Sequence, residues 1–95
     1  MKKNLRKPLD SETAETIGLT ALAFLAEDGS RLGRFLALTG LGPEELRAAP
    51  GSPRLLAAVL DYLLHDETLL LVFTSTAGMA PEMIQPAQER LARMS

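Results

Sequence analysis

Apolar residues recur every three or four positions along most of the chain, and Gly and Pro interrupt this pattern at short intervals. Such spacing places apolar residues on one face of an α-helix, and the interruptions mark helix ends. The pattern predicts helical segments at about 11–27, 31–39, 43–48, 53–64, 67–76 and 81–93. The predicted fold class is therefore all-α, a single compact bundle of five to six short helices.

Residues at the borders of these segments fit helix caps. Small polar residues with a side-chain oxygen precede three segments and can accept hydrogen bonds from the first N–H groups: Asp10 or Ser11, Ser30 and Ser52. Gly40 and Gly78 stand where helices commonly end. Gly18 lies inside the first segment, where a glycine costs about 1 kcal/mol relative to alanine. It indicates that another part of the chain approaches closely there.

Two segments are ambiguous. Residues 68–74 read Thr-Leu-Leu-Leu-Val-Phe-Thr, and a continuous apolar run fits a buried strand or a buried helix equally. No second strand is apparent to pair with it, so we predict a buried helix. In the last segment, Pro86 either kinks the helix or restarts it, and we expect this segment to be the most loosely attached.

The charge is unevenly distributed. Of ten basic residues, four (Lys2, Lys3, Arg6 and Lys7) precede the first acidic residue, Asp10, which leaves six basic against all twelve acidic residues in the rest of the chain. We therefore predict a flexible basic tail at 1–9 and a single acidic helical domain at 10–95. An acidic body repels polyanions unless its arginines cluster, which disfavours nucleic acid as a partner.

Composition excludes several kinds of site. The chain has no Cys and one His, so disulfides, thiolate metal sites and cysteine nucleophiles are excluded, and His65 lacks companions for a zinc site. No serine lies in a nucleophile elbow, and no glycine-rich phosphate loop is present. We predict no catalytic residue, no cofactor and no metal, and hence a protein that is not an enzyme.

The longest apolar stretch does not resemble a membrane span. Residues 55–73 are interrupted by Asp61, His65, Asp66 and Glu67, and a membrane helix seldom carries so many ionisable residues. No apolar run of the signal-peptide type follows the basic residues at the start. A soluble, cytoplasmic protein without membrane contact is therefore predicted.

Two stretches carry a family resemblance. One runs from Ala21-Leu-Ala-Phe-Leu-Ala through Leu32-Gly-Arg-Phe-Leu and Thr39-Gly-Leu to Leu46-Arg; the other is Leu56-Ala-Ala-Val-Leu-Asp-Tyr-Leu-Leu with Asp66-Glu67 and the apolar run to Phe73. Together they resemble a family of small, mainly alphaproteobacterial proteins described only as a domain of unknown function. The resemblance implies a helical fold and a bacterial cytoplasmic setting. It implies no activity and no site residue.

The turn Gly40-Leu41-Gly42 between two segments resembles that of a DNA-binding helix-turn-helix. Arg31, Arg34 and Arg47, with the basic tail, would be its anion or nucleic-acid contacts. Leu36 stands where the motif favours alanine, and the second helix begins Pro43-Glu44-Glu45, which phosphates would repel. The same spacing fits a helical hairpin packed into a core, with the arginines paired to surface acids.

A surplus of leucines supplies the leading functional hypothesis. Eleven large apolar residues lie within 55–73, which are either covered fully by the other helices or left partly exposed. Partial exposure of these residues predicts a non-enzymatic interaction module that binds itself or a protein partner. The predicted interaction face is Leu56, Leu60, Leu63, Leu70 and Phe73; the alternative function is a helix-turn-helix-like nucleic-acid-associated protein.

Overall fold

Six α-helices follow one another in the computed structural model, which describes residues 9–95. They are α1 (Ser11–Ala26), α2 (Gly29–Thr39), α3 (Pro43–Ala48), α4 (Pro53–Leu64), α5 (Glu67–Ala77) and α6 (Ile84–Met94), with a 3₁₀ helix at Pro81–Met83 before α6. The described residues contain no strand. The all-α prediction is confirmed, and residues 68–74 are helical as predicted.

Side-chain oxygens begin four of the helices. Asp10 accepts a hydrogen bond from the Thr13 N–H at 2.8 Å, and Ser52 and Asp66 do the same for α4 and α5. The prediction of Ser30 as a cap is wrong. Asp28 caps α2 instead, because its carboxylate accepts from the N–H groups of Ser30 and Arg31, so α2 begins two residues earlier than predicted.

α4 lies at the centre of the core. It packs most extensively against α6 and also against α1, α2 and α5. Its fully buried residues include Leu56, Leu60 and Leu63. Burial of an apolar side chain contributes roughly 1.5–3 kcal/mol relative to leaving it exposed, so α4 is the main source of hydrophobic stabilisation.

The expectation that the last segment is loosely attached is wrong. Ile84, Ala87 and Leu91 of α6 have no exposed surface, and α6 packs against both α4 and α1. Pro86 does not kink the helix, because α6 begins at Ile84 and Pro86 falls in its first turn. In the first turn of a helix, backbone N–H groups have no carbonyl acceptor within the helix, so a proline there costs no hydrogen bond. The predicted segment therefore consists of the 3₁₀ helix at Pro81–Met83 followed by α6, which begins two residues before Pro86.

Aromatic pairs attach the peripheral helices to this core. The Phe73 ring of α5 lies 5.2 Å, between centroids, from that of Phe24 on α1. Phe35 of α2 meets Tyr62 of α4 edge-on at 5.3 Å. Such geometries are favoured by the ring quadrupoles. They help to hold α2 and α5 against α1 and α4, together with partly buried leucines of both helices: Leu32, Leu36, Leu69 and Leu70.

α3 is the least embedded helix. None of its residues is buried, and Leu46 is the one that packs partly against the core. The predicted tail lies outside the described residues except for Leu9, which also packs partly against the core, so the folded domain includes residue 9. No helix within residues 9–95 combines the length and the apolar character needed to cross a membrane.

Candidate functional site: an uncharged face and a polar groove

The predicted interaction face is largely covered. Leu56, Leu60 and Leu63 have no exposed surface and Phe73 has 1%, while Leu70 is partly buried against the core. Four of the five predicted residues therefore cannot present a contact surface while the domain is folded, and the choice of residues is corrected. The physical reason is that α1 and α6 both pack on α4 and enclose its leucine stripe.

Other apolar side chains are exposed. Four large hydrophobic residues within residues 9–95 are exposed to solvent: Leu19 on α1, Leu38 on α2, and Leu71 and Val72 on α5. Large apolar residues that cluster on a surface commonly mark interaction sites, whereas scattered ones do not. The relevant question is therefore which of the four lie together.

Leu71 and Val72 lie together on one surface. The outer side of α5 carries Leu71 and Val72 beside the hydroxyls of Thr68, Ser75 and Thr76. A shallow groove of about 210 Å³ joins Thr76 to Thr20 and Ala23 of α1, over the rings of Phe24 and Phe73. Leu19 lines neither this groove nor the outer side of α5. We call the surface formed by the two the α1–α5 face: Thr20, Ala23, Thr68, Leu71, Val72, Ser75 and Thr76.

The residues of the α1–α5 face are uncharged, and charged residues border it. α5 has ten consecutive uncharged positions from Thr68 to Ala77, whereas Glu27 lies at the edge of the groove and Glu67 lies one helical turn before Leu71. On α1, the hydroxyl of Thr20 donates to the Thr16 carbonyl oxygen at 2.8 Å, so its polar group is satisfied within the helix.

The predicted arginines divide between two places. Arg31 and Arg34 line one pocket of about 240 Å³, with Asp28, Ser30, Tyr62, Asp66 and Leu69. The Arg31 guanidinium stacks on the Phe24 ring, 4.3 Å from its centroid. Arg47 lies on α3 and lines neither this pocket nor the groove beside it. Arg54, at the start of α4, lies 3.7 Å from the Glu45 carboxylate.

A larger groove adjoins this pocket, between α2 and α4. It has a volume of about 620 Å³. Arg34, Leu38 and Thr39 form the α2 side, Ala58, Asp61 and Tyr62 the α4 side, and His65 and Asp66 one end. Arg34, Tyr62 and Asp66 line both cavities, so the two form one connected depression.

His65 lies at the surface of this groove. Its Nδ1 is 2.8 Å from the Asp61 carbonyl oxygen and 3.7 Å from the Asp61 carboxylate, and its side chain is 77% exposed. Because Nδ1 faces a carbonyl oxygen, the neutral ring donates from Nδ1 and leaves Nε2 as an acceptor. Among residues 9–95, no three His, Cys, Asp or Glu side chains are grouped to hold a metal ion.

The sequence did not reveal the exposed positions. Leu71 and Val72 belong to the same apolar run as the buried Phe73, and Leu38 follows helical spacing like a core residue. Their exposure depends on which helices cover α2 and α5. The one signal available in the sequence was the lack of charge from Thr68 to Ala77. A helix with one buried face usually carries charged residues on its other face, and this stretch does not.

Comparison with known proteins identifies the family. No curated protein and no solved structure matches the chain. One family model does match, over residues 11–93, which spans α1 to the last turn of α6. On that match, the chain belongs to the family described as "Protein of unknown function (DUF3572)".

Proposed function

We propose that this domain is a non-enzymatic interaction module that self-associates through the α1–α5 face. The observation that carries the proposal is that Leu71 and Val72, two of the four exposed large hydrophobic residues within residues 9–95, lie together on a surface lined by uncharged side chains. The occupant we propose for this face is a second copy of the chain.

The chemistry of the face supports pairing with itself. In a two-fold symmetric contact the same patch meets its own copy, so a charge near the axis faces an identical charge. The residues of the α1–α5 face are uncharged, and Glu27 and Glu67 lie at its borders. Its polar groups on α5 are the hydroxyls of Thr68, Ser75 and Thr76, and a hydroxyl both donates and accepts. A hydroxyl of one copy can therefore bond with a hydroxyl of the second copy, whichever of the two donates.

The remaining surface supports the same choice. The whole chain has a net charge of −2, but residues 9–95 carry six basic and twelve acidic side chains, so the acidic parts of two copies repel each other. Repulsion is smallest where uncharged surfaces meet and the charges lie at the rim. Orientations that bring the α1–α5 faces together satisfy this condition.

The size of the face implies modest affinity. Two adjacent helices, about 16 Å long and about 10 Å apart, cover roughly 300 Å². A stable interface buries about 800 Å² on each partner. We therefore expect association in the micromolar range or weaker, unless residues around the face add to the contact.

Sedimentation velocity over a range of protein concentrations tests the proposal. The wild-type chain should shift from monomer to dimer with increasing concentration, and Leu71→Glu or Val72→Glu should abolish that shift. Leu38→Glu is the matched control, because Leu38 is even more exposed, at 68%, but lies outside the face. Circular dichroism should show that all three variants remain folded.

Two results would contradict self-association. One is a wild-type chain that stays monomeric at millimolar concentration. The other is equal loss of the dimer in all three variants, which would indicate a nonspecific effect of added charge. Leu60→Glu is not a useful probe, because Leu60 is fully buried and its replacement would unfold the domain.

The alternative, nucleic-acid binding by the α2–α3 turn, has weaker support. The first turn of α3 presents Glu44 and Glu45 beside Arg47, and acids at that position repel phosphates. The alphaproteobacterial and cytoplasmic setting implied by the family resemblance stays a prediction.

A further inference from the structure

We infer that the depression between α2 and the α4–α5 junction binds a small ligand that carries an oxyanion, a carboxylate or a phosphate, attached to an apolar group. The oxyanion would lie at Arg31 and Arg34, and the apolar group would lie in the groove on Leu38 and Tyr62. This inference is independent of the proposed dimer, since none of these residues belongs to the α1–α5 face.

The two guanidinium groups are available for an anion. Within residues 9–95, neither Arg31 nor Arg34 has a carboxylate oxygen within 4.0 Å, whereas Arg54 does. Arg31 is also held in place by the Phe24 ring. Guanidinium groups bind carboxylate and phosphate through paired N–H donors, and a fixed guanidinium loses less entropy when it does so.

Two of the three acidic residues of the depression are already engaged. Asp28 accepts from the Ser30 and Arg31 N–H groups at 3.0 and 3.3 Å, and Asp66 accepts from the Leu69 N–H at 3.1 Å. Each caps a helix N-terminus, whose partial positive charge of about half a unit offsets the carboxylate. Asp61 caps no helix, and it lines the groove but not the pocket that contains Arg31. Within residues 9–95 the two arginines have no carboxylate partner, so the pocket around them is where an anion is expected to bind.

The rest of the depression suits an apolar group. Leu38 is 68% exposed at its edge, Ala58 adds a small side chain, and the Tyr62 ring is held edge-on by Phe35. The volume of about 620 Å³ lies within the roughly 300–1,000 Å³ of small-molecule sites. An apolar body next to a cationic end selects an amphipathic anion over inorganic phosphate.

Titration followed by NMR of the arginine Nε–H signals and the amide signals of α2 and α4 tests this site. The probes are phenyl phosphate, benzoate and inorganic phosphate, all at constant ionic strength. We expect saturable shifts for phenyl phosphate or benzoate, at least about fivefold tighter than for inorganic phosphate. The two organic probes distinguish a phosphate-selective site from a carboxylate-selective one.

Matched variants separate the site from general charge effects. Arg34→Gln and Arg31→Gln should weaken binding of the organic probe about tenfold, which corresponds to one lost charge-assisted contact. Arg47→Gln removes the same charge from exposed α3 and should change binding less than twofold. Leu38→Ala should weaken phenyl phosphate but not inorganic phosphate.

Two outcomes would overturn the inference. The first is the absence of saturable shifts with all three probes. The second is an equal effect of Arg34→Gln and Arg47→Gln, since simple screening of net charge would produce it. Arg34 is exposed, so Arg34→Gln is expected to fold even if Arg31→Gln loses stability with its contact to Phe24. Neither outcome bears on self-association, which sedimentation measures separately.

Discussion

Gly18 of α1 packs directly against Leu56 of α4, so closely that a Cβ on Gly18 would lie 2.8 Å from the Cβ of Leu56. Leu56 has no exposed surface, and its Cβ is fixed to the backbone. The contact therefore sets the separation of α1 and α4 at this point. It explains why a residue unfavourable to helices occurs in the middle of α1.

Gly18→Ala should destabilise the domain. Alanine improves helix propensity by about 1 kcal/mol, but the added methyl group forces α1 and α4 apart, and overpacking of this kind costs about 1–3 kcal/mol. The obstructing atom is the Cβ of Leu56, which cannot move without its backbone. We therefore expect the cost of overpacking to exceed the gain in helix propensity. Thermal unfolding should show a melting temperature several degrees lower than that of the wild type.

Gly33→Ala is the matched control. Gly33 lies inside α2, and a Cβ there would meet nothing within 4 Å. The same substitution should therefore raise the melting temperature, because only the gain in helix propensity remains. A Gly18→Ala variant as stable as Gly33→Ala would show that the two helices can separate without loss.

The fold was largely predictable because its signals are local. Caps such as Ser52 and Asp66, and the glycines at 40 and 78, fix helix ends within one turn, so their positions can be identified in the sequence. Gly18 also indicated a close approach, although its partner could not be identified, because that depends on how α1 and α4 cross. Pro86 was misjudged because its effect depends on where α6 begins.

The candidate surfaces were harder to predict for a different reason. Leu60 and Leu71 look alike in sequence, yet one is fully buried and the other nearly half exposed. The difference arises from the helices around them, since α1 and α6 cover α4 while nothing within residues 9–95 covers the outer side of α5. Arg31 and Arg34 were identified because they share a helix face, whereas Tyr62 and Leu38 join them through tertiary packing alone.

Gly40→Ala should destabilise the end of α2. Gly40 has a φ of 76° and its N–H donates to the Leu36 carbonyl oxygen at 3.0 Å. In this left-handed conformation a side chain other than that of glycine costs roughly 1–2 kcal/mol. Chemical denaturation should show that loss for Gly40→Ala and a smaller loss for Gly40→Asn, because asparagine tolerates the conformation better. Equal stability of the wild type and both variants would show that a side chain at residue 40 can adopt the left-handed conformation without cost.

Leu91→Ala should cost about 2–5 kcal/mol of unfolding free energy. Leu91 is fully buried on α6, and truncation of a buried leucine leaves a cavity in addition to the lost burial. Urea unfolding provides the measurement. Leu38→Ala is the control, since an exposed leucine should change stability by less than about 0.5 kcal/mol. A small effect at Leu91 would show that α6 is only loosely attached after all.

The stability contributed by Asp10 should depend on pH. The hydrogen bond from the Thr13 backbone N–H, together with the Thr13 side chain and the positive charge of Arg90, holds the pKa of Asp10 below its ordinary value of 3.8. A carboxyl whose pKa is lowered by folding stabilises the folded state above its unfolded pKa, and this contribution is lost as the pH falls through the folded pKa.

Asp10→Asn isolates that contribution, because asparagine can still accept the cap hydrogen bond but does not titrate. The melting temperature of the wild type should exceed that of Asp10→Asn at pH 6, and the difference should shrink below pH 3.8 as Asp10 becomes protonated. NMR titration of the Asp10 carboxyl carbon should give a midpoint below 3.8. A difference that stays constant down to pH 2, or a midpoint at or above 3.8, would show that the ionised carboxylate does not stabilise α1.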